Sequence, residues 1–238
     1  MNSAKLGRYR WHAVADQSAL RYAALRTILD NSTMAVQQRG QFHLVLSGGD
    51  TPRGIYQQLR SIQTDWSAWH IYFSDERCLL PNDSKLNSRM AGEAWLDHVP
   101  IPESQIYIIP VELGASRAAC EYAQTLRSIG IFDLTFLGLG EDGHTASLFP
   151  EHEWGITPDS PDTLAIFDAP KPPLQRVSMS AARLSRSRQV MFLINGESKH
   201  MAVAKWRKGK NIPARAIMPK TGVDVLLESS LIVPLPAG

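Results

Sequence analysis

The sequence has few cysteines and no long hydrophobic run. Cys78 and Cys120 are its two cysteines, and neither has a histidine nearby at zinc-ligand spacing. This pattern gives no disulfide framework and no sign of a structural or catalytic metal. No stretch approaches the roughly 18 consecutive apolar residues of a membrane span, and the N-terminal segment lacks the apolar core of a secretory signal. We therefore expect reduced thiols, a cytoplasmic location and no membrane partner.

The chain also has little net charge. It contains 25 Lys and Arg against 23 Asp and Glu, which gives a formal charge of +2. An excess this small, and not gathered into one run, does not indicate nucleic acid as a partner. Hydrophobic residues make up 44% of the chain, which is enough to form a buried core and excludes a disordered protein.

Strand-like and helix-like segments alternate along the chain. The chain is predicted to open with an amphipathic helix from about Asp16, because Leu20, Ala23, Ala24, Thr27 and Ile28 fall at the spacing of one helical face. Near-continuous apolar runs favour buried parallel strands. The predicted strands are 41–47, 70–74, 105–110, 132–140, 176–180 and 188–194, with a late helix over 198–208. The alternation predicts an α/β fold with a mainly parallel sheet flanked by helices.

The predicted domain organisation is a single domain over residues 1–238. The range 151–173 is rich in Pro and Asp, which is typical of an excursion from the βα pattern. We expect a small subdomain within about 151–173. There is no internal repeat and no low-complexity tract.

The first candidate site is the Gly-rich turn after the strand 41–47. Gly48 and Gly49 allow a ligand to approach the backbone, Thr51 suits the helix N-cap, and Pro52 suits the first helical position. Free N–H groups at such a helix start can bind an anion, although an ordinary βα turn has the same features. The Gly-Lys-Ser/Thr ending of a nucleotide-triphosphate loop is absent.

The second candidate is the loop 138–150, which contains the pattern G-x-G-x-x-G. Pro150 and the Pro-rich segment beyond it leave no room for the long helix of a dinucleotide site, so we interpret the pattern as accidental. His144 is flanked by glycine at a strand end and has Asp142 close by in sequence. An acid there can fix the histidine tautomer and raise its basicity. His152 also has acidic neighbours, but it lies beyond Pro150.

Charged residues at two further strand ends are weaker candidates. Asp75, Glu76 and Arg77 follow the strand 70–74 and form either a solvated loop or a substrate contact. Arg176 precedes a strand, and Lys199 lies in the first turn of a helix. Lys199 favours a nearby anion there, unless Glu197 compensates its charge.

Together these segments closely resemble the 6-phosphogluconolactonase family. The resemblance rests on GGDTPRGIY, SDERCLLPNDSKLN and LGLGEDGHTASLFP, with APKPPLQRVSMS and INGESK as later matches. It covers about residues 42–221. It implies a Rossmann-like sheet with a small subdomain, similar in fold to glucosamine-6-phosphate deaminase and ribose-5-phosphate isomerase, and no cofactor.

The resemblance implies hydrolysis of 6-phospho-D-glucono-1,5-lactone to 6-phosphogluconate in the oxidative pentose phosphate pathway. It implies that His144 is the base, that Asp142 orients it, and that Arg77 and Asp75 contact the substrate. The implied phosphate-binding residues, together with neighbours in the same motifs, are Gly48, Gly49, Asp50, Thr51, Arg53, Gly143, Arg176 and Lys199. Asp50 replaces the Ser that is commonest in the family, and Arg53 stands where Lys is common. The partner is a phosphorylated sugar lactone, and we expect a monomer.

Two other functions remain open from the sequence. A glucosamine-6-phosphate deaminase or isomerase would use the same carboxylate and histidine. That family carries Asn-Glu-Pro after its histidine, whereas Leu148, Phe149 and Pro150 stand here. A non-catalytic regulator that binds sugar phosphates would need a helix-turn-helix domain, for which we expect no room in 238 residues.

Overall fold

Strands and helices alternate along most of the chain. The structure, a computed structural model, describes residues 9–232. The strands are β1 (Tyr9–Val14), β2 (Phe42–Leu46), β3 (Trp69–Phe73), β4 (Asp75–Arg77), β5 (Ile106–Tyr107), β6 (Phe132–Gly138), β7 (Thr163–Ile166), β8 (Arg176–Met179), β9 (Ser187–Ile194) and β10 (Val223–Glu228). The helices are α1 (Gln17–Arg39), α2 (Asp50–Leu59), α3 (Asn87–Ala94), α4 (Ala115–Leu126), α5 (Ala181–Ser185) and α6 (His200–Arg207).

The main sheet has seven strands in the order β1-β10-β9-β6-β2-β3-β5. All of its pairings are parallel, which confirms the predicted α/β class. After β2 the chain adds β3 and β5 on one side, then returns to place β6 and β9 on the other. The direction of strand addition therefore reverses between β2 and β6. Open α/β sheets bind ligands at the carboxyl ends of the strands at such a switch point.

A second, smaller sheet forms the side of this crevice. It has three antiparallel strands in the order β4-β8-β7, with Asp75 opposite Ser178 and Arg77 opposite Arg176. The predicted excursion 151–173 contributes β7 to this sheet, whereas β4 and β8 come from outside that range. The predicted single domain, 1–238, includes residues 1–8 and 233–238, which lie outside the described residues.

Two buried tyrosines fix the strand ends that carry the site. The Tyr56 hydroxyl accepts from the Ser47 N–H at 3.1 Å and donates to the Ser47 carbonyl at 3.0 Å. Tyr122 makes the same pair of bonds to Phe73, at 3.0 and 3.1 Å. Burial raises the pKa of both phenols, so they stay neutral donors. Because buried backbone groups need partners, these bonds set where β2 and β3 end.

Several sequence predictions are wrong in detail. The helix α2 begins at Asp50 with Gly49 as N-cap, so Thr51 is not the cap. Of the predicted strand 105–110, only the two residues of β5 form a strand. The strand β1 precedes the first helix and was not predicted. Of the predicted helical face, Leu20, Ala24 and Ile28 are fully buried, whereas Ala23 and Thr27 are half-buried.

A stacked pair of histidines on β2 and β3 is expected to lower the stability of the fold in acid. The His43 and His70 rings stack at 4.8 Å and lie beside Tyr72 and Tyr107. Burial, and then the neighbouring His70, lowers the pKa of His43 to about 4, and burial also lowers the pKa of His70. An unfolded histidine titrates near about 6.5. Below that pH the unfolded chain binds more protons than the folded one, so stability falls as the pH drops towards 4.

The replacement of both histidines by phenylalanine is expected to reduce this acid sensitivity. The His43→Phe/His70→Phe variant keeps stacked rings but carries no ionisable group at either position. Melting temperatures measured from pH 7 to pH 4 should therefore fall less steeply for the variant than for the wild type. Parallel curves for the two proteins would contradict the assignment of acid sensitivity to this pair.

Candidate active site

A polar pocket lies at the carboxyl edge of the main sheet, at its switch point. Its volume is about 220 Å³. The turn after β2, the end of β6 and the loop after it, the small sheet, the start of α3 and the turn after β9 all contribute to it. The lining residues are Ser47, Gly48, Gly49, Asp75, Arg77, Asn87, Gly138, Leu139, Gly140, Glu141, His144, Thr145, Ala146, Lys171, Arg176 and Lys199.

His144 forms a hydrogen-bonded pair with Asp142 in the loop after β6. The Asp142 carboxylate accepts from the ring Nδ1 at 2.6 Å and from the His144 backbone N–H at 3.0 Å. Burial alone would raise the pKa of Asp142, but these bonds from His144 outweigh it and lower that pKa to about 2. An ionised Asp142 cannot donate, so Nδ1 carries the proton and Nε2 is the basic ring nitrogen.

Glycine at position 140 is required by the close approach of this imidazole. A Cβ there would lie 2.0 Å from Nδ1 of His144. The Gly140 N–H donates to the His144 carbonyl at 2.8 Å, which closes the turn. On another side, the Phe149 ring lies 5.0 Å from the imidazole, centroid to centroid. The histidine is therefore held by the loop itself, without a following helix.

Asp75 is a buried carboxylate at the pocket wall. It is 6% exposed and accepts from Ser147 Oγ at 2.7 Å and from Ser74 Oγ at 3.1 Å. Its neighbour Glu76 points away from the pocket and accepts from the Asn87 and Ser88 N–H groups at the start of α3, each at 2.7 Å. The Asp-Glu-Arg segment is therefore not a solvated loop. Of its two acids, Asp75 faces the pocket, whereas Glu76 binds the start of α3.

Four cationic residues line the pocket. Arg77 on β4 lies opposite Arg176 on β8, and Lys171 and Lys199 reach the pocket from two loops. Arg176 is 8% exposed, and its Nε and Nη2 donate to the carbonyls of Pro173 at 3.0 Å and Lys171 at 2.9 Å. Four cations against Asp75 and Glu141 leave the pocket with an excess of positive charge, which suits an anionic ligand.

The Gly48–Gly49 turn adds a helix start to this cationic pocket. The first N–H groups of α2 have no side-chain cap, so they are available to an anion. Thr51 is not in the pocket lining, and its buried hydroxyl donates to Oδ1 of Asn195. This bond joins the start of α2 to the turn that carries Lys199.

Four other candidates from the sequence lie outside the pocket lining: Asp142, which reaches the pocket only through its bond to His144, and Asp50, Arg53 and Gly143. The Asp50 side chain is 95% exposed and lies 3.8 Å from Arg53, which is itself exposed. The Asp50 carboxylate thus points away from the pocket, where it would otherwise repel a phosphate. Gly143 packs against Ile212, and a Cβ at this position would lie 2.9 Å from the Ile212 Cβ.

The predicted site residues did not include five pocket residues with polar side chains: Ser47, Asn87, Glu141, Thr145 and Lys171. All of them except Ser47, which directly precedes one, lie within segments that resemble the family motifs, but no local pattern distinguishes them from their neighbours. Two buried atoms in the lining, Ser47 Oγ and Arg77 Nε, have no hydrogen-bond partner among residues 9–232. Buried polar atoms without partners are rare, so these two are suited to bind a ligand.

Residues 9–232 contain no group of three or more His, Cys, Asp or Glu side chains placed to hold a metal ion. In the same part of the chain, no helix combines the length and the apolar character that a bilayer span requires.

A histidine-carboxylate pair beside a cationic pocket, at the switch point of a parallel sheet, defines an α/β enzyme for small anionic substrates. Residues 15–226 match the family of glucosamine-6-phosphate isomerases and 6-phosphogluconolactonases. The chain belongs to this family.

Several relatives carry the second of these two names. The chain is 34% identical over 218 residues to 6-phosphogluconolactonase of Synechocystis sp., covering 86% of this chain and 89% of that protein. It is 34% identical to the GDH/6PGL endoplasmic bifunctional protein of Oryctolagus cuniculus, where the match covers 80% of this chain but only 26% of that protein. The crystal structure of 6-phosphogluconolactonase from Thermotoga maritima superposes with a TM-score of 0.86 at 25% identity, covering 93% of this chain and 100% of that one.

Proposed function

We propose that this chain hydrolyses 6-phospho-D-glucono-1,5-lactone to 6-phosphogluconate, a step of the oxidative pentose phosphate pathway. The observation that carries the proposal is the His144–Asp142 pair. His144 lines the same 220 Å³ pocket as four cations and an uncapped helix start, and Asp142, outside the lining, accepts from its Nδ1. The family and the 6-phosphogluconolactonase relatives support the same reaction.

His144 acts as the general base and then as the general acid. Its Nε2 takes a proton from water as the water oxygen attacks the lactone carbonyl carbon. The tetrahedral intermediate then collapses, the bond to the ring oxygen breaks, and the imidazolium returns the proton to that oxygen. Asp142 keeps Nδ1 protonated and stabilises the imidazolium, because its low pKa keeps it ionised throughout.

Arg77 stabilises the negative charge that develops on the carbonyl oxygen. Its Nη1 is held by the Lys85 carbonyl, while its buried Nε has no partner within residues 9–232. A fixed, unpaired donor in a partly closed pocket is the kind of group that stabilises an oxyanion. Asp75, held by Ser74 and Ser147, accepts from a sugar hydroxyl.

The phosphate binds at the start of α2 together with Arg176 and Lys199. Lys171 adds a fourth positive charge to the pocket. Hydrogen bonds to a charged group contribute about 1.5–3 kcal/mol each, so this set distinguishes a phosphorylated lactone from a neutral one. We further propose that the protein acts as a cytoplasmic monomer.

Deamination of glucosamine-6-phosphate is the second candidate, because the family contains both activities. The residue before Pro150, where the deaminases carry a glutamate, is Phe149 here. It is 2% exposed and packs against His144. This position therefore supplies no carboxylate for the ring opening and proton transfers of a deaminase.

One experiment separates the candidates. The pure protein is given freshly prepared 6-phosphogluconolactone and, separately, glucosamine-6-phosphate, and release of acid and of ammonia is followed. We expect acid release well above the spontaneous rate from the lactone and no ammonia from the amino sugar. Ammonia release would identify a deaminase, and binding without turnover of either compound would identify a regulator.

A further inference from the structure

Asn87 is a buried amide in the pocket that the proposed reaction does not use. It is 5% exposed and stands at the start of α3, next to the small sheet. Its backbone N–H is held by Glu76, which fixes the position of the residue. Burial of an amide costs free energy unless its polar atoms form hydrogen bonds. The hydrogen bonds of Asn87 therefore indicate its role.

The amide donates to Asp75 on one side. Nδ2 of Asn87 lies 3.0 Å from the Asp75 carbonyl oxygen and 3.4 Å from the Asp75 carboxylate Oδ1. Both Asp75 atoms can only accept, so the NH₂ group must face them and the orientation of the amide is determined. Asn87 is thus a third side chain that holds this carboxylate, after Ser74 and Ser147.

The other side of the amide presses against the phosphate-binding turn. A Cβ on Gly48 would lie 2.0 Å from Asn87 Oδ1 and 2.6 Å from its Cγ. The Asn87 side chain therefore fills the space beside Gly48 and excludes any larger residue there. No hydrogen bond to Oδ1 forms within residues 9–232, which leaves it as an acceptor at the pocket.

We propose that Asn87 is a positioning residue that holds the Asp75 carboxylate at a fixed distance from the Gly48–Gly49 turn. This spacing lets the site bind a sugar hydroxyl and the phosphate of the same molecule at once. The inference rests on the proposed lactonase function, in which Asp75 binds a hydroxyl and the turn binds the phosphate.

A double-mutant cycle tests the inference. Asn87→Ser, Asp75→Asn and the double variant are compared by kcat/KM on the phosphorylated lactone. Loss of a hydrogen bond to a charged group predicts a fall of about 10-fold for Asn87→Ser, seen mainly as a higher KM. In the Asp75→Asn background the same change should have almost no effect, because the carboxylate it positions is gone. Equal losses in both backgrounds would overturn the inference.

The isosteric Asn87→Asp variant gives an independent readout. It keeps the shape of the side chain but places a second carboxylate beside Asp75, and two adjacent carboxylates raise the pKa of one of them. Its kcat/KM should therefore gain a pH dependence that wild type and Asn87→Ser lack, and an unchanged pH profile would count against the inference.

Asn31→Asp is the matched control for this variant. Asn31 lies on α1 outside the pocket lining, and its amide bonds to Thr27 and Gln189. It should keep the wild-type pH profile, and melting temperatures show whether each variant is folded. Absence of turnover by the wild type would overturn the proposed function and this inference together. Normal wild-type turnover with an additive cycle would overturn the Asn87 assignment alone.

Discussion

Replacing His144 with alanine is expected to lower kcat by roughly 10²–10⁴-fold, the usual contribution of a positioned general base. The variant loses the only imidazole among the pocket-lining residues. Lactone binding should change far less, since the phosphate contacts and Asp75 remain. The measurement is steady-state kinetics on 6-phosphogluconolactone, corrected for spontaneous hydrolysis, with a melting curve to show that the variant is folded.

Two further variants make this result specific. Asp142→Asn keeps the shape of the partner but removes the ionised acceptor that holds Nδ1, so we expect a fall in kcat smaller than that of His144→Ala. His152→Ala is the matched control, because His152 also contacts a carboxylate, that of Asp168 at 3.2 Å, yet lies outside the pocket lining. It should retain near-wild-type turnover. A folded His144→Ala protein with normal kcat would exclude this residue as the base.

The central strands were predictable because their signal is local. β2 and β6 are buried on both faces and appear in the sequence as near-continuous apolar runs. β1 is an edge strand that contains half-buried and exposed residues and no fully buried one, and its Arg10 and His12 bind Asp224 on β10. That partner lies more than 200 residues away, so no local window contains the reason for the strand.

The small sheet also contains a strand that local sequence does not predict. Three charged residues after β3 have no strand propensity, yet Asp75–Arg77 forms β4 because Arg176–Met179 pairs with it. Pairing across about 100 residues decides the conformation, and tertiary context overrides local preference. The sequence therefore left open whether this segment was a loop or a contact with substrate.

In the candidate site, too, some residues are predictable from local sequence and others are brought in only by the fold. His144 and Asp142 lie two residues apart, so their pairing could be predicted from a single loop. Asn87 and Lys171 join the pocket only because α3 and the loop before β8 fold back over it. Conversely, Asp50 and Arg53 belong to a matching motif but point away from the pocket. A motif identifies the loop, whereas the backbone direction decides which of its side chains reach the ligand.

Lys199→Ala is expected to lower kcat/KM for the phosphorylated lactone by about 10- to 150-fold, the effect of losing one charged hydrogen bond of roughly 1.5–3 kcal/mol. The residue lies at the turn after β9 and lines the pocket, and the Thr51–Asn195 bond ties this turn to the start of α2. We choose it over Arg176 because Arg176 also lies over Phe149, at 5.4 Å, and Phe149 contacts His144. A change at Arg176 could thus disturb the base as well as the phosphate.

The decisive measurement compares two substrates. For the wild type, kcat/KM should be much lower for unphosphorylated gluconolactone than for the phosphorylated lactone. This fall should exceed that caused by Lys199→Ala, because the whole phosphate dianion is missing. Lys199→Ala should leave that slow hydrolysis almost unchanged, since the ammonium group then has nothing to bind. Lys205→Ala, an exposed lysine on α6 outside the pocket lining, is the matched control and should alter neither rate. If Lys199→Ala reduces both substrates by the same factor, Lys199 acts on the chemical step or on the fold, and the phosphate must be held elsewhere.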